Sequence, residues 1–325
     1  MVANCGESYP PQEYLIAVIC PLQVELTAML GHLDQEHLRH DKVPRDGNVY
    51  YFGTLAGLNV VIATLPAGHV GTISAANVAY RVKEAFPWIQ LRLLVGIGGG
   101  VPSEEHDIRL GDVVVGIPDK TSGGVVEYDL GQRTPDGFKR KGTLASPPRE
   151  YLSVVRKMQV QHDFHGAVTA VRHVGKMLEE NPRLRVKYQR PPTESDILFK
   201  SHYAHQSRTN KSCHACDRQY IVERHPRSFP DEPVIHYGLI GSGDSVVRDA
   251  AERDLLGYHE GILCFEMEAA GLMNEFQCIV IRGISDYADS HKNDTWQAYA
   301  AVIAAGLAKE YIQYAEDVLC KSDVV

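Results

Sequence analysis

Five short apolar runs in this chain stop abruptly at glycine, proline or charged residues. They are residues 14–20 (YLIAVIC, before Pro21), 91–95 (LRLLV, before Gly96-Ile97-Gly98-Gly99-Gly100), 234–240 (VIHYGLI, before Gly241-Ser242-Gly243), 262–265 (before Glu266) and 278–281 (before Arg282). Runs this short, bounded by such breakers, read as buried strands. Stretches of helical spacing separate them, such as residues 22–33, with Leu22, Leu26, Met29 and Leu33 on one face, and residues 72–86, which Pro87 ends. Strands alternating with helices argue an α/β domain built on a parallel or mixed central sheet. In open sheets of that kind, ligands bind beyond the carboxyl ends of the strands. The residues where these runs end are therefore the candidate site.

The richest of these ends is residues 265–289, FEMEAAGLMNEFQCIVIRGISDYAD. Glu266 and Glu268 flank Met267, an amphipathic run 269–276 follows, and a second strand ends in Arg282, Ser285 and Asp286. Acids brought together from two segments suit proton transfer and hydroxyl recognition. The glycines at 96–100 are not a dinucleotide fingerprint, because Val101-Pro102 follows and no helix starts there. They read either as a tight turn or, at Gly98 and Gly99, as backbone against which a ligand lies directly. Glu25, in the first turn of its helix, reads on its own as an acid favoured by the helix dipole. Thr72 is a plausible N-cap for its helix. Residues 49–55 and 58–65 suggest a hairpin around Ala56-Gly57.

A net charge of −8 leaves no global basic field for a nucleic-acid polymer or an anionic membrane. No apolar run approaches the ~20 residues of a membrane span. The first residues lack the basic and apolar regions of a secretory signal. The seven cysteines are few and odd in number, and Cys20, Cys264 and Cys278 lie in apolar runs, which fits buried thiols and a cytoplasmic location. One domain over residues 13–320, with a disordered lead-in at 1–12, is the simplest organisation. Within it, residues 172–230 look like a basic insertion: residues 172–227 hold twelve Lys/Arg against six Asp/Glu. Such a stretch is either a solvated excursion or a basic binding surface. It also carries His202-x2-His205 and Cys213-x2-Cys216. Two ligand pairs can close a tetrahedral zinc site, although this order and spacing match no familiar finger.

Four segments in order, VICPLQVE, VGIGGGV, FEMEAAG and IRGISDYAD, resemble the nucleoside phosphorylase and nucleosidase superfamily. The site motifs look most like the 5′-methylthioadenosine/S-adenosylhomocysteine nucleosidases. The overall look is similar to fungal members found at the N-terminus of NLR-type receptor-like proteins. The resemblance covers roughly residues 13–145 and 234–315. It implies a three-layer αβα sandwich with a mixed central sheet, and a purine nucleosidase that releases free base and ribose. By this resemblance Asp286 is the general acid at purine N7, and Glu268 grips the ribose hydroxyls beside Glu266. Met267 packs under the sugar, Ser285 and Arg282 are substrate-binding residues that also support the acid and the nucleophile's surroundings, and Gly98, Gly99 and Val247 offer backbone contacts. Glu25 matches the carboxylate that holds the attacking water. The phosphorylases typically carry an arginine in this loop and another before the glycine strand. Here the loop has none and Leu94 stands at the second place, which favours water over phosphate. Val246 stands where the methylthioadenosine enzymes stack an aromatic on the base. Asp244 matches either a partner for a purine amino group or a cap for the turn before Asp249. The resemblance implies no metal or cofactor, a small-molecule partner, and a homodimer or larger homo-oligomer. Three alternatives stay open: a nucleotide (AMP or ATP) N-glycosidase using the basic insertion, a phosphorylase recruiting phosphate through Arg109 or His69, and a sensing module that binds a nucleoside without turnover.

Overall fold

The glycine-ended run of residues 91–100 becomes the strand around which the others assemble. The computed structural model describes residues 6–135, 137–206 and 212–319. In chain order its elements are β1 (Ile16–Ile19), α1 (Gln23–Gly31), β2 (Gln35–His37), β3 (Tyr50–Leu55), β4 (Leu58–Ala63), α2 (Thr72–Ala85), β5 (Leu91–Gly100), β6 (Val113–Gly116), β7 (Val125–Glu127), β8 (Gly131–Thr134) and β9 (Gly137–Arg140). Then come α3 (Arg149–His165), α4 (Val168–Glu180), α5 (Pro182–Tyr188), β10 (Ile235–Ser242), α6 (Ala250–Glu260), β11 (Ile262–Glu266), α7 (Ala269–Phe276), β12 (Ile279–Asp286) and α8 (Gln297–Ala315).

Ten strands form one mixed sheet. β1 lies between β4 and β5, parallel to both, and β12 runs parallel to the other side of β5. β12 pairs antiparallel with β6, and β10 runs parallel to β6, β7 and β11. β11 then returns antiparallel to the far end of β5, setting Phe265 opposite Gly99 and Cys264 opposite Gly100. β5 therefore has three neighbours, two parallel and one antiparallel, and the ends of β5, β11 and β12 meet at one place. The expected hairpin is present: β3 and β4 pair antiparallel, and Ala56 and Gly57 both take positive φ (53° and 79°), as a two-residue hairpin turn demands.

Helices cover both faces of the sheet. α8 packs on β5 and β12, with α1, α3, α4 and α5 around it, and α2 with α7 covers the opposite face. This is the expected three-layer αβα sandwich. α8 lies between sheet and outer helices, which explains its run of small apolar residues, AAVIAAGLA, buried throughout. Among the described residues no helix is long and apolar enough to cross a membrane.

The start of the basic stretch is part of the helical layer rather than an excursion from it. Residue 172 falls inside α4, whose Ala170, Val174 and Met177 are buried in the core with Tyr188 of α5. Between residues 189 and 234 the described residues form only short 3-10 turns and an isolated bridge, and several of their cations are ion-paired. Arg224 pairs with Asp196 at 2.8 Å, Arg227 with Asp112 at 2.7 Å, and Arg190 with Asp231 at 3.3 Å. Residues 207–211 of this stretch, residues 1–5 of the lead-in and Cys320 lie outside the described residues. Residues 6–12 run against the body: Leu38 donates its N–H to the Glu7 carbonyl (2.9 Å), and Trp88 Nε1 donates to the Pro11 carbonyl (2.7 Å).

Candidate active site

Glu25, Glu266, Glu268, Arg282, Ser285 and Asp286 all lie buried around the ends of β5, β11 and β12. A cavity of about 240 Å³ opens there, walled by Glu25, Gly98, Gly99, Met267, Glu268 and Asp286 among others. Glu266, Ser285, Val246 and Val247 also reach it. A larger cleft of about 690 Å³ opens beside Val234 and Ile235, at the start of β10 and away from its carboxyl end. It lacks the convergent strand ends of the smaller cavity.

Glu25 is held at both carboxyl oxygens by backbone N–H groups. One oxygen accepts the N–H of Leu22 (2.6 Å), anchoring the start of α1 as a helix-start acid does. The other accepts the N–H of Ile97 (2.7 Å), which fixes the carboxyl against β5. Burial pushes its pKa up to about 7; Arg282 opposes that rise and Glu268 adds to it. The site thus holds a carboxyl that changes protonation near neutral pH.

Arg282 lies behind the cavity and does not line it, so the reading of it as a substrate-contacting residue is corrected. Its guanidinium is bonded to Glu266, lies 3.3 Å from Glu268 Oε2 and 3.8 Å from Glu25 Oε1, and is fully buried. One cation facing three carboxylates cannot neutralise all of them, so the cluster retains proton affinity. Glu268 is raised above its ordinary range by burial, with Arg282 pulling it down and Glu266 pushing it up. Glu266 is turned largely toward the protein, accepting the N–H groups of Glu268 (3.1 Å) and Ala269 (3.0 and 3.1 Å) at the start of α7. Glu268 accepts the Gly71 N–H at 3.4 Å and keeps a face on the cavity.

Asp286 is held by three donors. Ala288 N–H reaches one oxygen at 2.9 Å, while the Ser285 hydroxyl and Lys292 Nζ each reach the other at 2.8 Å. Lys292 was not foreseen. Its only trace in the sequence is a lone cation in the polar loop just after ISDYAD. Phe265 was missed as well. It belongs to β11, and it also lines the cavity and supplies an aromatic side chain that Val246, half-exposed at the rim, cannot.

Two glycines explain the close packing. A Cβ on Gly96 would overlap both the Glu25 carboxyl and the Arg282 guanidinium, and one on Gly99 would lie 2.8 Å from Asp286 Oδ1. The glycine cluster thus serves two purposes. Gly96 admits buried charges against the strand, and Gly98 and Gly99 form the cavity wall. Gly96→Ala is expected to displace Glu25 and lower stability by about 1–3 kcal/mol. A thermal melt measures it; an unchanged melting temperature would contradict this role.

Four other expectations are corrected. Asp244 neither lines the cavity nor caps the turn before Asp249. Its carboxylate caps α2, accepting Thr72 N–H (3.0 Å) and the Thr72 hydroxyl (2.9 Å). Thr72 is accordingly the first helical residue, with Gly71 at the N-cap position. Arg109 is turned to Asp107 and the His225 carbonyl, and neither it nor His69 lines the cavity. Among the described residues, none from 172–230 lines it either.

Comparison with known proteins agrees with this architecture. Over 303 residues the chain is 40% identical to a nucleotide-binding leucine-rich repeat (NLR)-like protein of Hyaloscypha variabilis, covering 93% of this chain but 29% of that protein. It therefore spans less than a third of that relative. An ATP nucleosidase, Cap17, of Escherichia coli is 31% identical over 87 residues, covering 25% of this chain and 17% of Cap17. A Helicobacter pylori 5′-methylthioadenosine/S-adenosylhomocysteine nucleosidase, solved with a pyrrolo[3,2-d]pyrimidine–pyrrolidinol compound, superposes with a TM-score of 0.54 at 17% identity. It covers 94% of this chain and 99% of the nucleosidase. The family model of the phosphorylase superfamily matches residues 15–313. On its sequence and its fold alike, this chain belongs to the phosphorylase superfamily.

Proposed function

We propose that this chain is a purine nucleosidase, which uses water to cleave the bond between C1′ of ribose and N9 of the base. The observation that carries the reading is the pairing of Glu25 and Asp286 across one small cavity in which, among the described residues, no arginine is exposed to hold phosphate. The one arginine nearby, Arg282, is surrounded by Glu25, Glu266 and Glu268.

In this reading the base lies toward Asp286 and Phe265, and the sugar toward Met267 and Glu268. Asp286 gives its proton to N7 as the C1′–N9 bond breaks, so the base leaves neutral. The charge left on Asp286 is met by Lys292, the Ser285 hydroxyl and the Ala288 N–H. Glu25, fixed by Leu22 and Ile97, orients a water at C1′ and takes its proton as the C–O bond forms. Glu268 accepts hydrogen bonds from the ribose hydroxyls. The chemistry calls for no metal or redox cofactor.

Release of free base from adenosine, inosine, guanosine and methylthioadenosine, followed by chromatography without phosphate, tests the assignment. Strict phosphate dependence would overturn it in favour of a phosphorylase. Binding without release from any substrate would point to a sensing module. The pH profile is a second test. Glu25 must be deprotonated to take a proton from water, so kcat/KM should rise with pH through a midpoint of about 7 and fall below it. A profile flat down to pH 5 would exclude Glu25 as the base.

A second reading, hydrolysis of a 5′-nucleotide, is supported by the similarity to the ATP nucleosidase Cap17 and by Lys292 on the cavity wall. Lys292 is already paired with Asp286, and none of the described residues of the basic stretch lines the cavity, so the nucleoside reading is the better supported. A kcat/KM for AMP or ATP well above that for adenosine would reverse this ranking.

A further inference from the structure

Part of the His/Cys pattern in the basic stretch comes together in space, away from the carboxylate cluster. Ligand atoms of His205, Cys213 and Cys216 lie within 4.8 Å of one another. Both cysteines are free thiols, Cys216 buried and Cys213 half-buried, in a tight 3-10 turn over Cys213–Ala215. His202, the fourth residue of the sequence pattern, is exposed and packs against the edge of Tyr220, outside this group. A second histidine, which the pattern did not include, lies next to the three, its own ring nitrogens outside the 4.8 Å group. His291 lies beside His205, with ring centroids 5.4 Å apart, and its backbone carbonyl is 3.9 Å from Cys213 Sγ. His291 is buried, and among the described residues its Nε2 has no hydrogen-bond partner. Its Nδ1 faces Asp289 Oδ1 at 3.9 Å, the side from which a carboxylate commonly orients a metal-bound imidazole. Phe199 stacks on the ring at 4.1 Å and holds its plane.

We propose that His205, Cys213 and Cys216 bind a structural zinc ion with His291 as the fourth donor, and that the metal fastens them to the loop carrying Lys292. Two sulfurs and two imidazoles suit zinc in a closed tetrahedral site. Binding displaces the thiol protons, so each cysteine enters as thiolate and a proton leaves to solvent from each. Zinc changes no oxidation state, and the step needs no oxidant. Contact with the active-site loop already exists without the ion: the His205 N–H donates to Ser290 Oγ at 2.9 Å. A cross-link at His291 would add a stiff constraint one residue from Lys292, which pairs with Asp286. The ion would hold the loop and take no part in bond cleavage.

The test uses the full chain carrying no polyhistidine tag. Elemental analysis after dialysis should find about one zinc per chain. Cobalt(II) exchanged into the site should show the intense thiolate-to-cobalt absorption of a tetrahedral sulfur site. Cys213→Ser and Cys216→Ser should each abolish that band and lower bound zinc at least tenfold, while His202→Ala leaves both unchanged. His291→Phe, which keeps a stacking ring, should weaken zinc at least tenfold. If the cysteine variants fold poorly, chelator titration of the unaltered chain, read by cobalt exchange and melting temperature, serves as the independent measurement. Native chain that takes up neither zinc nor cobalt, or a Cys213–Cys216 disulfide found by mass spectrometry in fresh protein, would overturn the proposal. Unchanged zinc affinity in His291→Phe would overturn the choice of fourth donor.

Discussion

Asp286→Asn is expected to lower kcat by about 10²–10⁴-fold, the usual contribution of a general acid, while nucleoside binding persists. The amide can keep its oxygen on the Ala288 N–H, so the backbone turn is retained. Its NH2 group then meets Lys292 Nζ, donor against donor, where a carboxylate oxygen now accepts at 2.8 Å. The Ser285 hydroxyl can turn to accept from the amide. The variant therefore folds but has no proton to deliver to N7. Rapid-quench measurement of base release, beside equilibrium binding of a non-hydrolysable analogue, separates the two effects. A variant with near-normal kcat would remove Asp286 from the mechanism.

The largest expected effect on stability comes from Arg282→Met. The side chain is fully buried and answers Glu25, Glu266 and Glu268. Removing one partner from a buried ionic cluster costs about 3–5 kcal/mol, because the remaining charges stay behind without compensation. The loss should depend on pH with a definite sign. Glu25 and Glu268 already have folded-state pKa values raised above the ordinary carboxyl range, chiefly by burial. Removing the cation raises them further. A raised carboxyl keeps its proton in the folded chain at pH values where the unfolded chain has lost it, so stability falls as pH rises through that window. For Glu25 in the unaltered chain the window runs from about 4.5 to about 7. The variant should therefore be nearest to normal stability close to pH 5 and weakest above pH 7. Denaturant titrations across that range would show it; a pH-independent loss would mean that packing, not charge, is Arg282's main contribution.

The strands and the site's acids were legible because their signals are local. Apolar runs that break at glycine, proline or a charged residue mark β1, β5, β10, β11 and β12, and the acids at their ends lie where an α/β sheet places a ligand cavity. What escaped notice depends on partners distant in sequence or on surface chain. The hairpin of β8 and β9, GQRT and GFKR, has no buried face, so no alternation betrays it. α4 was hidden by its charge: Ala170, Val174 and Met177 form a helical stripe, but the surrounding Lys and Arg made the stretch look solvated. Thr72 looked like its own cap because the group that does the capping, Asp244, lies far along the chain. Arg282 looked like a substrate contact because its position at a strand end is visible in sequence, whereas the direction of its side chain is not.

The central claim is that water, held at Glu25, is the nucleophile. Its most direct measurement is the mass of the sugar released from a cleaved purine nucleoside in phosphate-free buffer made with H2¹⁸O, quenched before solvent exchange at the anomeric carbon. Sugar carrying one ¹⁸O, formed at a rate unchanged by added phosphate and lost in Glu25→Gln, is the predicted result. Base release only after phosphate is added, with ribose 1-phosphate as the product, would contradict it.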